Sequence, residues 1–455
     1  MSEFHAVKKS GRGIIPQKQK RRSVRKKIET SMTKVRYSIL ALFLAVGCTT
    51  AQIPAPPSNV AAFGYDSHAE VTWAASTSPN VTGYQIFRST DGGVQYNLLK
   101  NVGAQVASLI DWTGDEGQHL TRHYKIKTTA PGGMASDFSE TTTAETHPMN
   151  DEELMEMVQR YTFRYFWDFA HPASGMARER SNGNGEIVTS GGSGFGIMAI
   201  VVGAERGWVT REDAVNRMIQ IVSFLQNAAR FHGVFPHWMN GTTGAAIPFS
   251  QYDDGGDLVE TAFLMQGLLA ARAYFDQNTP LETALRNAIT GLWEDVEWDW
   301  YRKNNSNVLY WHWSPNYAWQ MNFPLRGFNE TQIVYILAAA SPTHSVPASL
   351  YQTGWTSSGY ANPSIHFGHK IYCGPFGGGP MFFAHYSYLG FDPRPVKDAF
   401  CNYFVRNRNH ALIQNAYSIA NPENHTGYSA DCWGLTACDG PNGYSAHDIF
   451  PNNDD

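Results

Sequence analysis

Short runs in which apolar and polar residues alternate recur through residues 59–147: Ala69-Glu-Val-Thr-Trp73, Gly83-Tyr-Gln-Ile-Phe-Arg88 and His123-Tyr-Lys-Ile-Lys127. The turn signals Thr90-Asp-Gly-Gly93 and Pro131-Gly-Gly133 separate them, and this spacing predicts a β-sandwich. From residue 150 the period lengthens from two to nearly four. Leu154, Met157, Val158, Tyr161, Tyr165 and Phe166 then share one stripe of a helix over Asp151–Ala170. Thr210-Arg-Glu-Asp213 is a capping box, and the helix it opens carries Ala214, Met218, Ile221, Val222 and Leu225 on its apolar side. Helical periodicity also marks 195–206, 257–276, 281–297, 329–341 and 396–416, with long Gly-, Trp- and Asn-rich loops between. No strand run interrupts these helices, so an all-α second domain is expected, with a site among the loops gathered at one end.

Composition supports an ordinary folded chain. The 455 residues suffice for two to three domains, and 42% hydrophobic with 16% charged residues excludes disorder by composition. Charge is uneven. Residues 1–47 hold 12 of the 35 Lys and Arg but, of the 40 acids, only Glu3 and Glu29, which leaves the remainder strongly acidic. That remainder argues against a nucleic-acid partner, because phosphate binding needs a basic face. The 13 Trp and 22 Tyr supply flat, partly polar faces suited to sugar rings.

The basic start has another explanation. Met32-Thr-Lys-Val-Arg36 precedes an apolar segment, Tyr37 to Gly47, that is too short to span a bilayer. Its ending, Leu44-Ala-Val-Gly-Cys48, resembles a bacterial lipobox, which implies lipid modification at Cys48 and a membrane anchor. Residues 1–48 therefore read as an over-extended start plus a lipoprotein signal, and 49–58 as a Pro-rich linker. The threonines after Cys48 favour an exported protein held at the outer membrane and facing the periplasm. Cys373, Cys401, Cys432 and Cys438 allow one or two disulfides in such a chain, and Cys432 with Cys438 could close a short loop. Their spacing does not form CxxC pairs and His366 with His369 gives only an isolated HxxH, so no metal and no organic cofactor is expected. Residues 59–147 resemble a fibronectin type III module, with Trp73 at the buried tryptophan of its second strand and Tyr124 at the sixth-strand tyrosine.

Two segments carry candidate chemistry. In Ser250-Gln-Tyr-Asp-Asp-Gly-Gly-Asp257-Leu-Val-Glu260, Asp257 can cap a helix, and Glu260 three residues on lies on the same face. Repulsion between them would raise one pKa toward a value useful for proton transfer. In Gly327-Phe-Asn-Glu330, Asn329 can cap a helix that Glu330 enters, just after the ring-rich stretch Tyr310 to Trp319. Each acid also has the plainer reading of a helix-dipole partner. Two carboxylates, one protonated and one ionised, are the minimum for glycoside hydrolysis. The chain has no phosphate-binding loop and no GxSxG elbow. Gly191-Gly-Ser-Gly-Phe-Gly196 lacks the Lys-Ser/Thr pair of a nucleotide cradle and reads as a close backbone approach at a helix start.

Taken together, Tyr161-Thr-Phe-Arg-Tyr-Phe-Trp, Arg178-Glu-Arg-Ser181, Ser190-Gly-Gly-Ser-Gly-Phe-Gly196, Val234-Phe-Pro-His-Trp238, Asp257-Leu-Val-Glu260, Gly327-Phe-Asn-Glu330 and Asp431-Cys-Trp-Gly434 resemble the glucoamylase-like domain of glycoside hydrolase family 144. The resemblance runs over 150–455. It implies an (α/α)6 toroid and endo-acting cleavage of β-1,2-glucan to short β-1,2-gluco-oligosaccharides with inversion. It makes Glu330 the general acid, and it places Asp257 and Glu260 on the base side or in holding substrate and water, with Asp253 in support. Phe195, His237, Trp311, Trp313, Tyr428 and Trp433 become candidate subsite residues. Inversion calls for working carboxyls about 6.5–9.5 Å apart, so Glu330 should pair with one of Asp257 and Glu260. Family members continue well beyond Asp-Cys-Trp-Gly, which implies a C-terminally truncated toroid. The alternatives are a glucan hydrolase or transglycosylase of different linkage, and a non-catalytic glycan-binding lipoprotein. A lyase acting on an acidic sugar is disfavoured by the acidic charge.

Overall fold

The computed structural model describes residues 52–440 and 443–449, so Cys48 and the segment read as a signal lie outside the described residues. The chain divides after Asp151 into two units, each with its own core. Alternation builds the first. Strands β1 (Ser58–Gly64), β2 (His68–Ala74), β3 (Gly83–Ser89), β4 (Asn97–Gly103), β5 (Ser108–Trp112), β6 (Thr121–Ala130), β7 (Met134–Ala135) and β8 (Thr142–Glu145) form two antiparallel sheets. Their orders are β1-β2-β5 and β4-β3-β6-β7, with β8 paired to β6. Val71 and Trp73 of β2 meet Tyr84 and Ile86 of β3 and Tyr124 and Ile126 of β6, a core drawn from both sheets. The Tyr124 hydroxyl donates to buried Asp111 at 2.7 Å, and Arg88 completes that carboxylate at 2.9 Å.

The second unit holds seven α-helices among the described residues: α1 (Asp151–Trp167), α2 (Ser190–Glu205), α3 (Arg211–Asn227), α4 (Leu258–Tyr274), α5 (Pro280–Glu294), α6 (Gln332–Ala340) and α7 (Tyr403–Ala420). None is long and apolar enough to cross a membrane. Side-chain caps start several of them. Thr210 accepts from Asp213 N at 3.1 Å, Thr279 from Glu282 N at 3.2 Å and Asn402 from Val405 N at 3.0 Å. Met218, Ile221, Val222 and Leu225 of α3 join Leu264, Leu268, Ile289 and Val334 in one apolar core.

Three helix starts differ from expectation. α2 begins at Ser190 rather than 195, because the glycine run is itself helical and lies against α4. α6 begins at Gln332 rather than 329, because Asn329 Oδ1 accepts from Thr331 N at 2.9 Å in a turn instead of capping the helix. α7 begins at Tyr403 rather than 396, because Asp398 Oδ1 takes the N–H groups of Phe400 and Cys401 in a preceding turn. The apolar stripe expected on α1 is only partly covered: Leu154 and Val158 are exposed, Met157, Tyr161, Tyr165 and Phe166 are half-buried, and the fully buried residue is Phe163.

The helical unit is not purely α. Strands β9 (Ile187–Thr189), β10 (Trp238–Asn240) and β11 (Ala246–Ile247) form a small sheet, and β12 (Gly256–Asp257) pairs with β13 (His312–Trp313). Two hairpins follow, β14 (Ala361–His366) with β15 (His369–Cys373) and β16 (Ala437–Gly440) with β17 (Gly443–Ala446). The HxxH motif is the first hairpin's turn, where Phe367 and Gly368 both take positive φ, as a tight two-residue connection demands.

Candidate active site

The site begins where α2 lies against α4. A Cβ on Gly194 would fall 2.1 Å from Phe263 O, and one on Gly267 would fall 2.2 Å from Gly194 O, so only glycine permits this approach. The close packing sets the first turn of α2 over Glu260, whose Oε2 accepts the Gly191 N–H at 3.0 Å. A Cβ on Gly191 would sit 2.2 Å from that oxygen. The glycine run therefore delivers a helix N-terminus to a carboxylate.

Asp257 ends β12 and caps α4. Its Oδ1 accepts from Val259 N and Glu260 N, both at 2.9 Å, and its Oδ2 accepts the Trp311 indole N–H at 2.8 Å. His237 Nδ1 lies 3.4 Å from Asp257 Oδ2 and 3.9 Å from Asp253 Oδ2, with its ring stacked on Phe249 at 4.2 Å. On the far side of Asp253, His312 Nε2 accepts the Gly255 N–H at 3.1 Å and lies 3.3 Å from Asp253 Oδ1. Because Nε2 is an acceptor there, that contact is favourable when the Asp253 carboxyl itself holds the proton.

The cluster's charges follow from this packing. Burial raises the Asp253 pKa, and the Asp257 charge adds to the rise. Burial likewise raises Glu260, with His237 opposing and Asp257 adding. For His237 burial works against the charge, but Glu260, Asp257 and Asp253 outweigh it and push the imidazole up to about 10. A cation thus sits among three acids.

Above the cluster opens a cavity of about 770 Å³ lined by Glu260, His237, Phe195, Tyr165, Phe166, Trp238, Phe249, Tyr386 and Tyr444, together with Arg178, Glu179 and Arg180. Arg180 is braced by Glu179 at 3.0 Å and Asp439 at 3.2 Å. Tyr386 packs on Phe195 with ring centroids 4.7 Å apart, and burial, with a smaller addition from Tyr444, raises its hydroxyl to about 12. Glu330 stands in the turn before α6. Its carbonyl accepts from Ser387 Oγ, which in turn accepts the Ile333 N–H at 3.1 Å. Among the described residues Glu330 Oε2 is buried with no hydrogen-bond partner, and burial raises this carboxyl to about 7.

The structure gathers most of the residues singled out in the sequence. Glu260, His237 and Phe195 line the cavity, Asp257, Asp253 and Trp311 lie behind them, and Glu330 is outside the lining, tied through its carbonyl to Ser387 beside Tyr386. Three are elsewhere. Trp313 packs edge-on to His232 and Trp300, Tyr428 sits beside His425 and the cluster of Ile371 and Ile413, and Trp433 is exposed. Sequence reasoning missed Tyr386, Tyr444 and the roles of Arg178 and Arg180. The arginines stood in a motif already noticed, whereas Tyr386 has no local signal because its partners come from α2 and α4. His237, Asp253 and Asp257 also place three potential metal-ligand atoms within 4.8 Å of one another.

Comparison with known proteins bears on this geometry. A family profile described as "Putative glucoamylase" matches residues 322–455. The exo β-1,2-glucooligosaccharide sophorohydrolase (non-reducing end) of Parabacteroides distasonis is 41% identical over 410 residues, 86% of this chain and 56% of that protein. The crystal structure of a β-1,2-glucanase from Parabacteroides distasonis aligns with TM-score 0.80 and 40% identity over 89% of this chain and 61% of that one. This chain thus spans less than two thirds of the length of either. An endo-β-1,2-glucanase from Chitinophaga pinensis, solved with sophorotriose and glucose, aligns with TM-score 0.66 and 51% identity over 67% of this chain and 76% of that one. On that similarity, over three quarters of a solved relative, the chain belongs to the glycoamylase family.

Proposed function

We propose that this protein hydrolyses β-1,2-linked glucan, with Glu330 as general acid and Glu260 on the base side. The observation that carries the reading is two buried carboxyls of raised pKa: Glu260 in the lining of a cavity walled by aromatic rings and arginines, and Glu330, whose carbonyl is held by Ser387 next to the Tyr386 of that lining. Relatives named for β-1,2-glucan supply the linkage. Near neutral pH a substantial fraction of Glu330 holds its proton and can give it to the departing glycosidic oxygen. Water on the opposite face of the sugar attacks the anomeric carbon, and its proton passes toward Glu260, which gives inversion. Asp257 is a positioning residue in this reading, since both of its oxygens are occupied by N–H groups.

The reading extends to the expectations for the rest of the chain: helices arranged as part of an (α/α)6 toroid, a fibronectin type III-like first unit, and export with a lipid anchor at Cys48. The test is product analysis on linear β-1,2-glucan beside laminarin, cellulose and starch, with the Glu330→Gln variant as control. Short β-1,2 products that vanish in the variant support it. A ladder of oligosaccharides marks endo action, and sophorose alone marks exo release. Binding without cleavage means a glycan-binding protein, and cleavage of another glucan alone overturns the linkage.

A further inference from the structure

We propose that Cys373 and Cys401 form a dithiol–disulfide couple that fastens the end of β15 to the start of α7 and closes a covalent loop around residues 374–400. The two Sγ atoms lie 3.7 Å apart, both residues are buried, and 28 positions of sequence separate them. Each backbone is pinned. Cys373 pairs with Ala361 across the hairpin, and its carbonyl accepts from Arg406 Nε and Nη2 at 3.3 Å. Cys401 exchanges backbone contacts with Asp398, donating to Oδ1 at 3.2 Å and accepting from its N–H at 3.1 Å. Since a disulfide needs the sulfurs about 2.05 Å apart, small side-chain rotations suffice and neither strand nor helix need move far.

A second observation points to the chemistry of this pair. Arg406 is fully buried, yet its donors go to the carbonyls of Cys373 and Gly378 and to His410, and its guanidinium lies 3.8 Å from the Phe328 ring centroid. Among the described residues no carboxylate pairs with it. A positive charge beside Cys373 favours its thiolate, with the Cys401 thiol donating to it; this hydrogen bond is the main cause lowering Cys373, burial opposes it, and Arg406 assists. That is the arrangement of an attacking and a resolving thiol.

The oxidant is a small or protein disulfide such as glutathione disulfide. A cysteine thiolate attacks one of its sulfurs and expels one thiol. The neighbouring cysteine, losing its proton, then displaces the second. Two protein thiols become one disulfide, and the two electrons and two protons leave on the two reduced oxidant thiols. Burial requires the turn at 398–401 to open before exchange. The loop so closed carries Tyr386 and Ser387, so the bond would tie down one wall of the candidate site, although the proposal does not depend on what that site does. Cys432 and Cys438, the pair that the sequence suggested, are both exposed and unbonded.

The test is a thiol map of the full chain. The protein is treated with glutathione disulfide, denatured without reductant, alkylated with iodoacetamide and digested. The expected result is a Cys373–Cys401 cross-linked peptide, absent in Cys401→Ala, and a Tm higher by roughly 5–10 °C than after reduction. Recovery of Cys373 and Cys401 both alkylated, a glutathione adduct on either without a cross-link, or a cross-link from either to Cys432 or Cys438 would overturn the proposal.

Discussion

Glu330 is the residue whose environment makes the sharpest demand. A carboxyl raised to about 7 by burial is protonated below that value and charged above it, so a general acid at this position loses activity as pH rises. The prediction is that kcat/KM on β-1,2-glucan falls about tenfold per pH unit once pH exceeds about 7. Glu330→Gln should cost about 10²–10⁴ in kcat. Stability falls over the same pH range. Because the folded pKa lies above the usual carboxyl value, this group stabilises the fold fully at low pH, and the contribution is lost as pH rises through about 7. Glu330→Gln should therefore be more stable than the parent at pH 8.5, by up to roughly 2–3 kcal/mol, and no more stable at pH 4. Equal denaturation midpoints at pH 8.5 would mean that the charge is relieved in some other way. His237 acts in the opposite sense. Its cation lies between Asp253, Asp257 and Glu260, so His237→Gln leaves the acids to repel one another and raises Glu260 further. The acid limb of kcat/KM should then move up by about 1–2 pH units. An unmoved limb would remove Glu260 from the base side.

Among the elements, the α2–α4 contact ties packing to the site. Gly194→Ala would place a methyl 2.1 Å from Phe263 O, a clash with backbone that no rotamer relieves. The helices must part, at a cost of about 2–4 kcal/mol, and Gly191 N moves off Glu260. The variant should lose both Tm and kcat, whereas Gly291→Ala in α5, where nothing stands within 4 Å, should leave both intact. This element also shows how far the sequence could be read. Five glycines and serines in a row, Ser190 to Gly194, announced a close approach, and an acid three residues after a capping Asp announced the face opposite, because both signals are local. The register between them was not legible, since it depends on which glycine of α2 meets which residue of α4. The helix starts at Gln332 and Tyr403 escaped for a related reason: Asn329 and Asp398 divert the expected first-turn N–H groups into turns, a competition between two local hydrogen-bond patterns that composition leaves balanced. Tyr386, held through its carbonyl by Gln266 from 120 residues away, has no local signal at all.

Over the whole molecule, the sequence pattern and the burial disagree most at the first and last helices of the helical unit. Leu154, Met155 and Val158 of α1 are all exposed, and so are Val405, Leu412 and Ile419 of α7, which recur every seven residues and therefore share a face. Elsewhere in this unit such periodicity marks a buried side, as on α3, where Met218, Ile221 and Leu225 are inaccessible. Apolar stripes left in water favour association, because each buried side chain of this size contributes about 1.5–3 kcal/mol when water is removed from it. The protein should accordingly bind a fluorescent apolar dye at neutral pH and show concentration-dependent association by sedimentation velocity. Leu412→Lys with Ile419→Glu should weaken both while leaving Tm within about 1–2 °C, since charges on an exposed face cost little. A large loss of Tm in that double variant would mean that the face is covered in solution, and the exposed stripe would then be a contact surface for whatever covers it.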